Sequence, residues 1–196
     1  MTLQERMKIA SILLVYPEKN FSEILEEIEM VCKESEDKLV LASVDALARV
    51  PVSDLIRCYV ATFDMQESTA LYLTAHELGD SRERGDALLR LQALLRGAAF
   101  EPLEGELPDY LPLLMEFIAE KPIGMPTDEL ESRLAVACQM IYERLDEKHP
   151  YRKLFELIRD CLPSGQSPLQ DEAGAILLKP VVETDLDNLP YPLVYD

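Results

Sequence analysis

The side chains best suited to chemistry are few and scattered along the chain. There are 2 histidines, His76 and His149. His76 is followed by Glu77, but a second histidine at the spacing of a zinc-binding helix is missing. The chain has neither a glycine-rich phosphate loop nor a G-x-S-x-G nucleophile elbow. The sequence therefore predicts no catalytic residue, no metal site and no cofactor, and a protein that is not an enzyme.

The cysteines do not suggest a ligand set either. The 4 cysteines lie far apart and form no C-x-x-C pair. Each falls on or beside an apolar stripe, so we predict that they are small core residues rather than ligands. They are Cys32, Cys58, Cys138 and Cys161.

Polar residues beside aromatic residues are the remaining candidates, and this combination suits peptide binding. Glu67, Ser68 and Tyr72 form one set, and Asp109 with Tyr110 forms another at the start of an apolar helix. Amphipathic helices rich in leucine and methionine can open a groove for a partner helix. Purely structural roles are equally open, since Ser68 could cap a helix, Asp109 could offset a helix dipole and the tyrosines could be packing residues.

The composition limits the partners. A formal charge of −18 and a pI near 4.4 argue against nucleic acid and against an anionic membrane surface. The acidity permits a basic partner, although it could serve solubility alone. Glu5, Arg6 and Lys8 interrupt the first turns, and no apolar run approaches the ~20 residues of a membrane span. We expect no signal peptide, no stable membrane association and a cytoplasmic protein.

Apolar residues at helical spacing predict an all-α fold. A first helix ends at Tyr16-Pro17, and a second follows a cap signal at Asn20 and Glu23. A shorter helix follows, and the next one begins at Pro51 and runs to Phe63. The pattern then breaks at a connector over residues 65–68.

The second half of the chain continues the helical pattern. Gly79-Asp80 stops a short apolar turn, and Asp80 is expected to cap the next helix. A linker over residues 100–107 is the best candidate for a hinge, and Pro108 is expected to open the following helix. Thr127 is expected to cap the longest helix. We predict a single-domain helical bundle at residues 1–162 and an irregular, acidic, proline-containing tail at 163–196, flexible or loosely docked.

Three stretches resemble one known family. They are Tyr59-Val-Ala-Thr-Phe-Asp64 with the segment 68–85, Leu107-Pro-Asp-Tyr-Leu-Pro-Leu-Leu-Met-Glu-Phe117, and Ile12-Leu-Leu-Val-Tyr-Pro17. They are similar to the signatures of the delta-subunit chaperone of respiratory nitrate reductase, the NarJ type, within the molybdoenzyme assembly chaperone family. The resemblance spans residues 3 to 162 and implies that family's all-helical fold.

The resemblance implies a function and a partner. Such chaperones bind the N-terminal segment of the nitrate reductase catalytic (alpha) subunit, a remnant twin-arginine-like leader. They keep the apoenzyme competent for molybdenum cofactor insertion before it docks to the membrane subunit. Contact with the cofactor insertion machinery is left open. Three alternatives remain. They are a chaperone or twin-arginine leader proofreader for a different molybdoenzyme, an enzyme or nucleotide hydrolase, against which the missing phosphate-binding motif argues, and a purely structural acidic module.

Carried over to this sequence, the signatures nominate a peptide-binding site. Leu113 and Phe117 would receive apolar side chains of a peptide helix, and Asp109 and Glu67 would offset basic side chains. Tyr110 stands where related chaperones often have histidine. The nominated residues are Phe63, Glu67, Ser68, Tyr72, His76, Asp109, Tyr110, Leu113 and Phe117.

Overall fold

The predicted all-α fold is confirmed. The structure, a computed structural model, describes residues 1–100 and 105–163, and within these ranges the chain forms nine α-helices. The predicted tail from residue 164 onward and the middle of the predicted hinge lie outside the described residues. The helices are α1 Leu3–Leu14, α2 Phe21–Ser35, α3 Lys38–Ala48, α4 Val52–Tyr59, α5 Leu73–Leu78, α6 Glu83–Gly97, α7 Leu111–Glu120, α8 Asp128–Arg144 and α9 Arg152–Cys161.

Helix α1 is the central element of the packing. It lies against both α7 and α9, and α9 also packs on α3 and α8. Ala10, Leu13 and Leu14 on α1 are fully buried, at the i, i+3, i+4 spacing that places them on one face. A capping box fixes the start of α1, because Thr2 accepts a hydrogen bond from the Glu5 amide and Glu5 accepts one from the Thr2 amide.

The chain between α4 and α5 departs from regular helix twice. Helix α4 continues into one turn of π-helix, Val60–Asp64, which the Met65 amide closes by donating to the Val60 carbonyl over 3.0 Å. A short 3-10 turn, Glu67–Thr69, follows. The sequence predicts a break in the helix at Asp64, and the structure shows that the π-turn ends there and the 3-10 turn follows. A π-turn inserts one extra residue, so Phe63 stays buried while Met65 is 78% exposed.

Three predicted caps are wrong, two of them because of the backbone angle of the N-cap residue and one because its helix begins later. Side-chain capping needs an extended N-cap residue, yet Asn20 and Thr127 have ψ angles of 5° and 10° and make no cap hydrogen bond. Asp80 lies outside its helix, which begins at Glu83. Asp37, with ψ of 102°, does cap α3 by accepting from the Val40 amide.

The start of α7 also differs from the prediction. The helix begins at Leu111 rather than at Pro108. The preceding residues 109–111 are instead held extended by pairing with residues 71–73. Pro112 does lie in the first turn, where its missing amide proton costs no helical hydrogen bond.

The cysteine prediction is confirmed in its main point. All four are free thiols, three are fully buried, and only Cys58 is half-buried.

Within residues 1–100 and 105–163 no cluster of three metal-ligating side chains occurs. Over the same ranges, no helix has the length and apolar character needed to cross a lipid bilayer.

A buried carboxylate ties three helices together. Asp37 caps α3 and also accepts a hydrogen bond from Arg6 Nε of α1 over 2.6 Å. Arg6 reaches Asp160 of α9 with its other edge, at 2.7 Å. Burial disfavours ionisation of Asp37, but the bonds from Arg6 and Val40 outweigh it, so the pKa of this carboxyl is lowered.

We expect Asp37→Ala to lower the free energy of unfolding by about 2–4 kcal/mol, because it leaves the Arg6 guanidinium without its buried partner. A lowered folded-state pKa contributes stability only above the unfolded-state pKa of about 4, so the loss should be constant between about pH 6 and 8. Urea denaturation measures it. The matched control is Asp45→Ala, which breaks an exposed pair with Arg49 on the same helix and should cost at most about 0.5 kcal/mol. Equal losses in both variants would contradict this account.

Candidate functional site

Two segments distant in sequence meet as a short antiparallel pair. The Leu73 amide donates to the Asp109 carbonyl, and the Leu111 amide donates to the Leu71 carbonyl, each over 2.9 Å. Tyr72 and Tyr110 lie opposite each other at the centre of this pair. Because α5 begins at Leu73 and α7 at Leu111, the pair fixes the two helix starts side by side.

The Asp109 side chain reinforces this junction from inside. It is fully buried, and its Oδ2 accepts hydrogen bonds from the Thr74 amide at 3.2 Å and the Thr74 hydroxyl at 2.5 Å. Arg84 of α6 donates to the Thr74 hydroxyl and approaches Asp109 Oδ2 within 3.9 Å. In the conformation described, Asp109 therefore anchors α5 and makes no contact with solvent.

The two tyrosines form a half-buried aromatic pair on the outer side of the junction. Their ring centroids are 5.6 Å apart. The Tyr110 hydroxyl hydrogen-bonds the Tyr59 hydroxyl, which donates to the Leu14 carbonyl of α1. Burial raises the pKa of Tyr110 to about 12, and it also raises the pKa of Tyr72, with Glu106 as a nearby negative charge. Both phenols stay neutral at physiological pH, so they offer apolar rings with a hydroxyl edge.

A groove runs from Tyr110 along the seam between α1 and α7. Its volume is about 470 Å³. Apolar side chains form most of its wall, and the lining residues are Ser11, Ile12, Val15, Phe100, Glu106, Tyr110, Pro112, Leu113 and Glu116. Val15 in this wall is 37% exposed, and Tyr16 and Leu107, which adjoin lining residues in sequence, are 45% and 40% exposed. Contiguous exposed apolar surface is a common feature of binding sites.

Carboxylates stand in the wall of the groove. Glu116 of α7 is paired with Lys8 of α1 at 2.5 Å, and Lys8 also contacts Glu120. This pairing fixes Glu116 in the wall and ties α1 to α7. Glu106 accepts a hydrogen bond from the adjacent Leu107 amide, and it also lies close enough to Tyr72 to raise the pKa of that phenol. The groove is thus apolar with an acidic rim, which suits an amphipathic segment carrying basic residues.

The nominated residues separate into two groups. Tyr72, Tyr110 and Leu113 lie at or beside the groove, and the rest lie elsewhere. Phe63 and Phe117 are buried, Phe117 against Phe100 with ring centroids 5.5 Å apart. Glu67 and Ser68 are exposed on the 3-10 turn, and no hydrogen bond of the described residues joins them to either tyrosine.

His76 has a structural contact. Its Nε2 is 2.7 Å from the Ala70 carbonyl, so this nitrogen carries the proton and donates. Burial lowers the pKa of the imidazole. The His76 side chain therefore ties α5 to Ala70, two residues before Tyr72.

The α1 wall of the groove is what sequence reasoning missed. Ile12 and Val15 belong to the stretch Ile12–Pro17 that carries part of the resemblance, yet neither is nominated. The sequence did contain an indication of this wall. Helix α1 and the residue after it carry more apolar side chains than the single buried face of the helix needs. The excess residues Ile12 and Val15 are the ones that line the groove.

Comparison with known proteins gives a family match. The family model described as nitrate reductase delta subunit matches residues 23–160. A probable nitrate reductase molybdenum cofactor assembly chaperone NarJ of Bacillus subtilis is 34% identical over 129 residues, covering 64% of this chain and 70% of that protein. The NarJ chaperone of Escherichia coli K12 is 33% identical over 101 residues, covering 51% of this chain and 42% of that protein.

A solved structure shows the same fold. It is a putative redox enzyme maturation protein from Archaeoglobus fulgidus, with a TM-score of 0.61 and 18% sequence identity. The likeness covers 82% of this chain and 93% of that protein. At this identity the likeness concerns the fold alone, and it agrees with the predicted helical architecture.

We expect Asp109→Ala to lower the free energy of unfolding by about 2–4 kcal/mol, because the Thr74 amide and hydroxyl and the Arg84 guanidinium lose a buried acceptor. Chemical denaturation gives the loss. Hydrogen exchange should also quicken at the Thr74 amide, where the lost bond lies. Glu106→Ala is the control, since its described hydrogen bond is local, and it should cost less than about 1 kcal/mol. An unchanged stability in Asp109→Ala would contradict the anchoring role.

We expect His76→Gln to become more stable relative to the native chain as the pH falls from about 7.5 to about 5.5. The folded-state pKa of His76 is lowered, so the unfolded chain takes up the proton first and native stability is lost as the pH falls. Glutamine keeps a donor for the Ala70 carbonyl and does not titrate. The difference in unfolding free energy between the variant and the native chain should change by at most about 1.4 kcal/mol per pH unit. Parallel stability curves for the two proteins would contradict it.

Proposed function

The chain belongs to the nitrate reductase delta subunit family, and from this premise we propose that it is an assembly chaperone for a nitrate reductase. The proposed client segment is the N-terminal segment of the catalytic subunit, bound in the groove between α1 and α7. Bound there, the segment would be kept from its later contacts while the cofactor is inserted. The chaperone itself is not an enzyme, and residues 1–162 form the proposed chaperone domain.

The groove is the observation that carries the proposal. At about 470 Å³ it is within the ~300–1,000 Å³ of typical ligand sites. A helix in a groove anchors itself through apolar residues about one turn apart. Ile12 and Val15 on one wall and Leu113 on the other provide apolar surface for such anchors.

The charge of the protein supports a basic segment. Glu106 and Glu116 stand in the groove wall, and the whole chain carries −18. Such a field raises the rate of encounter with a basic segment. The apolar walls then provide contacts that salt does not screen. We therefore expect added salt to weaken binding only in part.

The proposed contact set differs from the set nominated by the sequence. Tyr72, Tyr110 and Leu113 remain in it, and Ile12 and Val15 join it. Glu67 and Ser68 are proposed as peripheral contacts, because they are exposed on the turn that precedes Tyr72. The buried residues Phe63, Phe117 and Asp109, together with His76, are proposed to shape the groove from behind rather than to touch the segment.

Calorimetric titration tests the proposal. The probe is a synthetic peptide of the cognate catalytic subunit's N-terminal residues, with a scrambled peptide of equal charge as control. Saturable binding of the native peptide alone is the expected result. Equal binding of both peptides would mean that the acidic surface attracts basic peptides without recognising their sequence, and it would contradict the proposal. Preferential binding of a leader peptide from another molybdoenzyme would assign the chaperone to that client.

We expect Ile12→Glu to weaken binding of the native peptide by about tenfold or more, because it places a charge in the apolar wall. The matched control is Leu89→Glu on α6, where an exposed leucine that lines no described groove receives the same change. It should alter the dissociation constant by less than about twofold. Circular dichroism verifies that both variants keep their helices. Native affinity in Ile12→Glu would place the binding site elsewhere.

A further inference from the structure

The two ends of the groove between α1 and α7 differ in charge. Tyr110 and Glu116 both line the groove, and at about 1.5 Å per residue they are separated by about 9 Å along the axis of α7. Glu116 is neutralised by Lys8, whose Nζ lies 2.5 Å from its carboxylate. At the Tyr110 end, Glu106 makes no ion pair within residues 1–100 and 105–163. The negative charge at the Tyr110 end is therefore uncompensated.

Asp64, the last residue of the π-turn, adds a second negative charge at this end. It is exposed, and its side chain makes neither a hydrogen bond nor an ion pair in the described part of the chain. Burial is the main cause of the raised pKa of Tyr72 and Tyr110, and the nearby charges of Asp64 and Glu106 contribute to it. Exposed carboxylates are common in a chain with 37 acidic residues. These two are distinguished because they border an aromatic pair at one end of a groove.

The tyrosine pair provides the surface that a flat cation needs. The rings of Tyr72 and Tyr110 are half-buried, and their planes are tilted by 41°. The Tyr110 ring is held in place, because its hydroxyl is hydrogen-bonded to the Tyr59 hydroxyl at 3.1 Å. A guanidinium group can stack on such a ring while its N–H edge binds a carboxylate through two parallel hydrogen bonds. An ammonium group has no plane to stack and gains less from the same surroundings.

We propose that Asp64, Glu106 and the tyrosine pair form a guanidinium subsite, which binds one arginine of the client segment. The identity of that segment rests on the proposed function. The apolar walls that include Ile12 and Leu113 extend from this end of the groove toward Glu116. The bound arginine therefore fixes the direction of the segment, and the apolar anchors of the segment lie on one side of that arginine in its sequence.

Calorimetric titration with altered peptides tests the subsite. The probes are the N-terminal peptide of the catalytic subunit and versions in which each arginine in turn is replaced by citrulline, which keeps the shape of the side chain without its charge. At one position citrulline should weaken binding by about tenfold. Glu106→Gln should weaken binding of the native peptide by about fivefold. In that variant the citrulline substitution at the same position should cost less than about twofold, because the two changes remove one interaction.

Matched controls separate the subsite from the general charge of the protein. Glu27→Gln on α2 makes the same change at an exposed acid that does not line the groove, and it should alter peptide affinity by less than about twofold. Lysine at the identified position of the peptide keeps the charge without the plane and should give an intermediate loss. Asp64→Asn should weaken binding in the same sense as Glu106→Gln. Chemical denaturation verifies that each variant keeps its native stability.

Several results would overturn the inference while leaving the groove function intact. One is saturable binding of the native peptide with losses from Glu106→Gln and from every citrulline substitution that simply add. Another is equal peptide affinity in Glu106→Gln and Glu27→Gln. Essential apolar residues on both sides of the identified arginine would contradict the assigned direction. Failure of the native peptide to bind at all would overturn the proposed function and the subsite together.

Discussion

Two backbone hydrogen bonds between residues 71–73 and 109–111 are the constraint on which the rest of the site depends. They join segments that are far apart in sequence and set the residue at which α7 begins. Because a helix start fixes which side chains face which way, the pairing decides that Leu113 and Glu116 face α1. The buried Asp109 carboxylate strengthens the same junction by holding Thr74 at the start of α5.

The residues around this junction divide by depth rather than by chemical type. Asp109, Phe63 and Phe117 lie inside and hold the helices in register, whereas Tyr72 and Tyr110 lie half outside. The same polar–aromatic pattern therefore serves both as scaffold and as surface. The residues of a family signature can therefore include those that shape a groove as well as those that contact its ligand. Substitutions at the inner residues should act through stability, and those on the groove wall should act through affinity.

Helical periodicity made the fold predictable, since nearly every helix buries one stripe and ends at a proline, a glycine or a change of pattern, whereas three of the predicted caps are wrong. The groove was only half predictable. Tyr110 and Leu113 follow from the second signature, but Ile12 and Val15 require knowing that α1 packs on α7. The tyrosine pair depends on long-range pairing, which local spacing does not encode. Burial of Asp109 is likewise a tertiary effect, because a polar residue at a helix start is usually exposed.

The most direct test of the central claim is to locate the bound peptide on the surface. A spin label on the N-terminal peptide of the catalytic subunit broadens amide signals of the chaperone that lie near it. The groove account predicts broadening centred on Ile12, Tyr110 and Leu113. The contrasting surface is the exposed pair Met30 and Val31 on α2, which are 63% and 64% exposed. Broadening centred there, with α1 and α7 unaffected, would contradict the account.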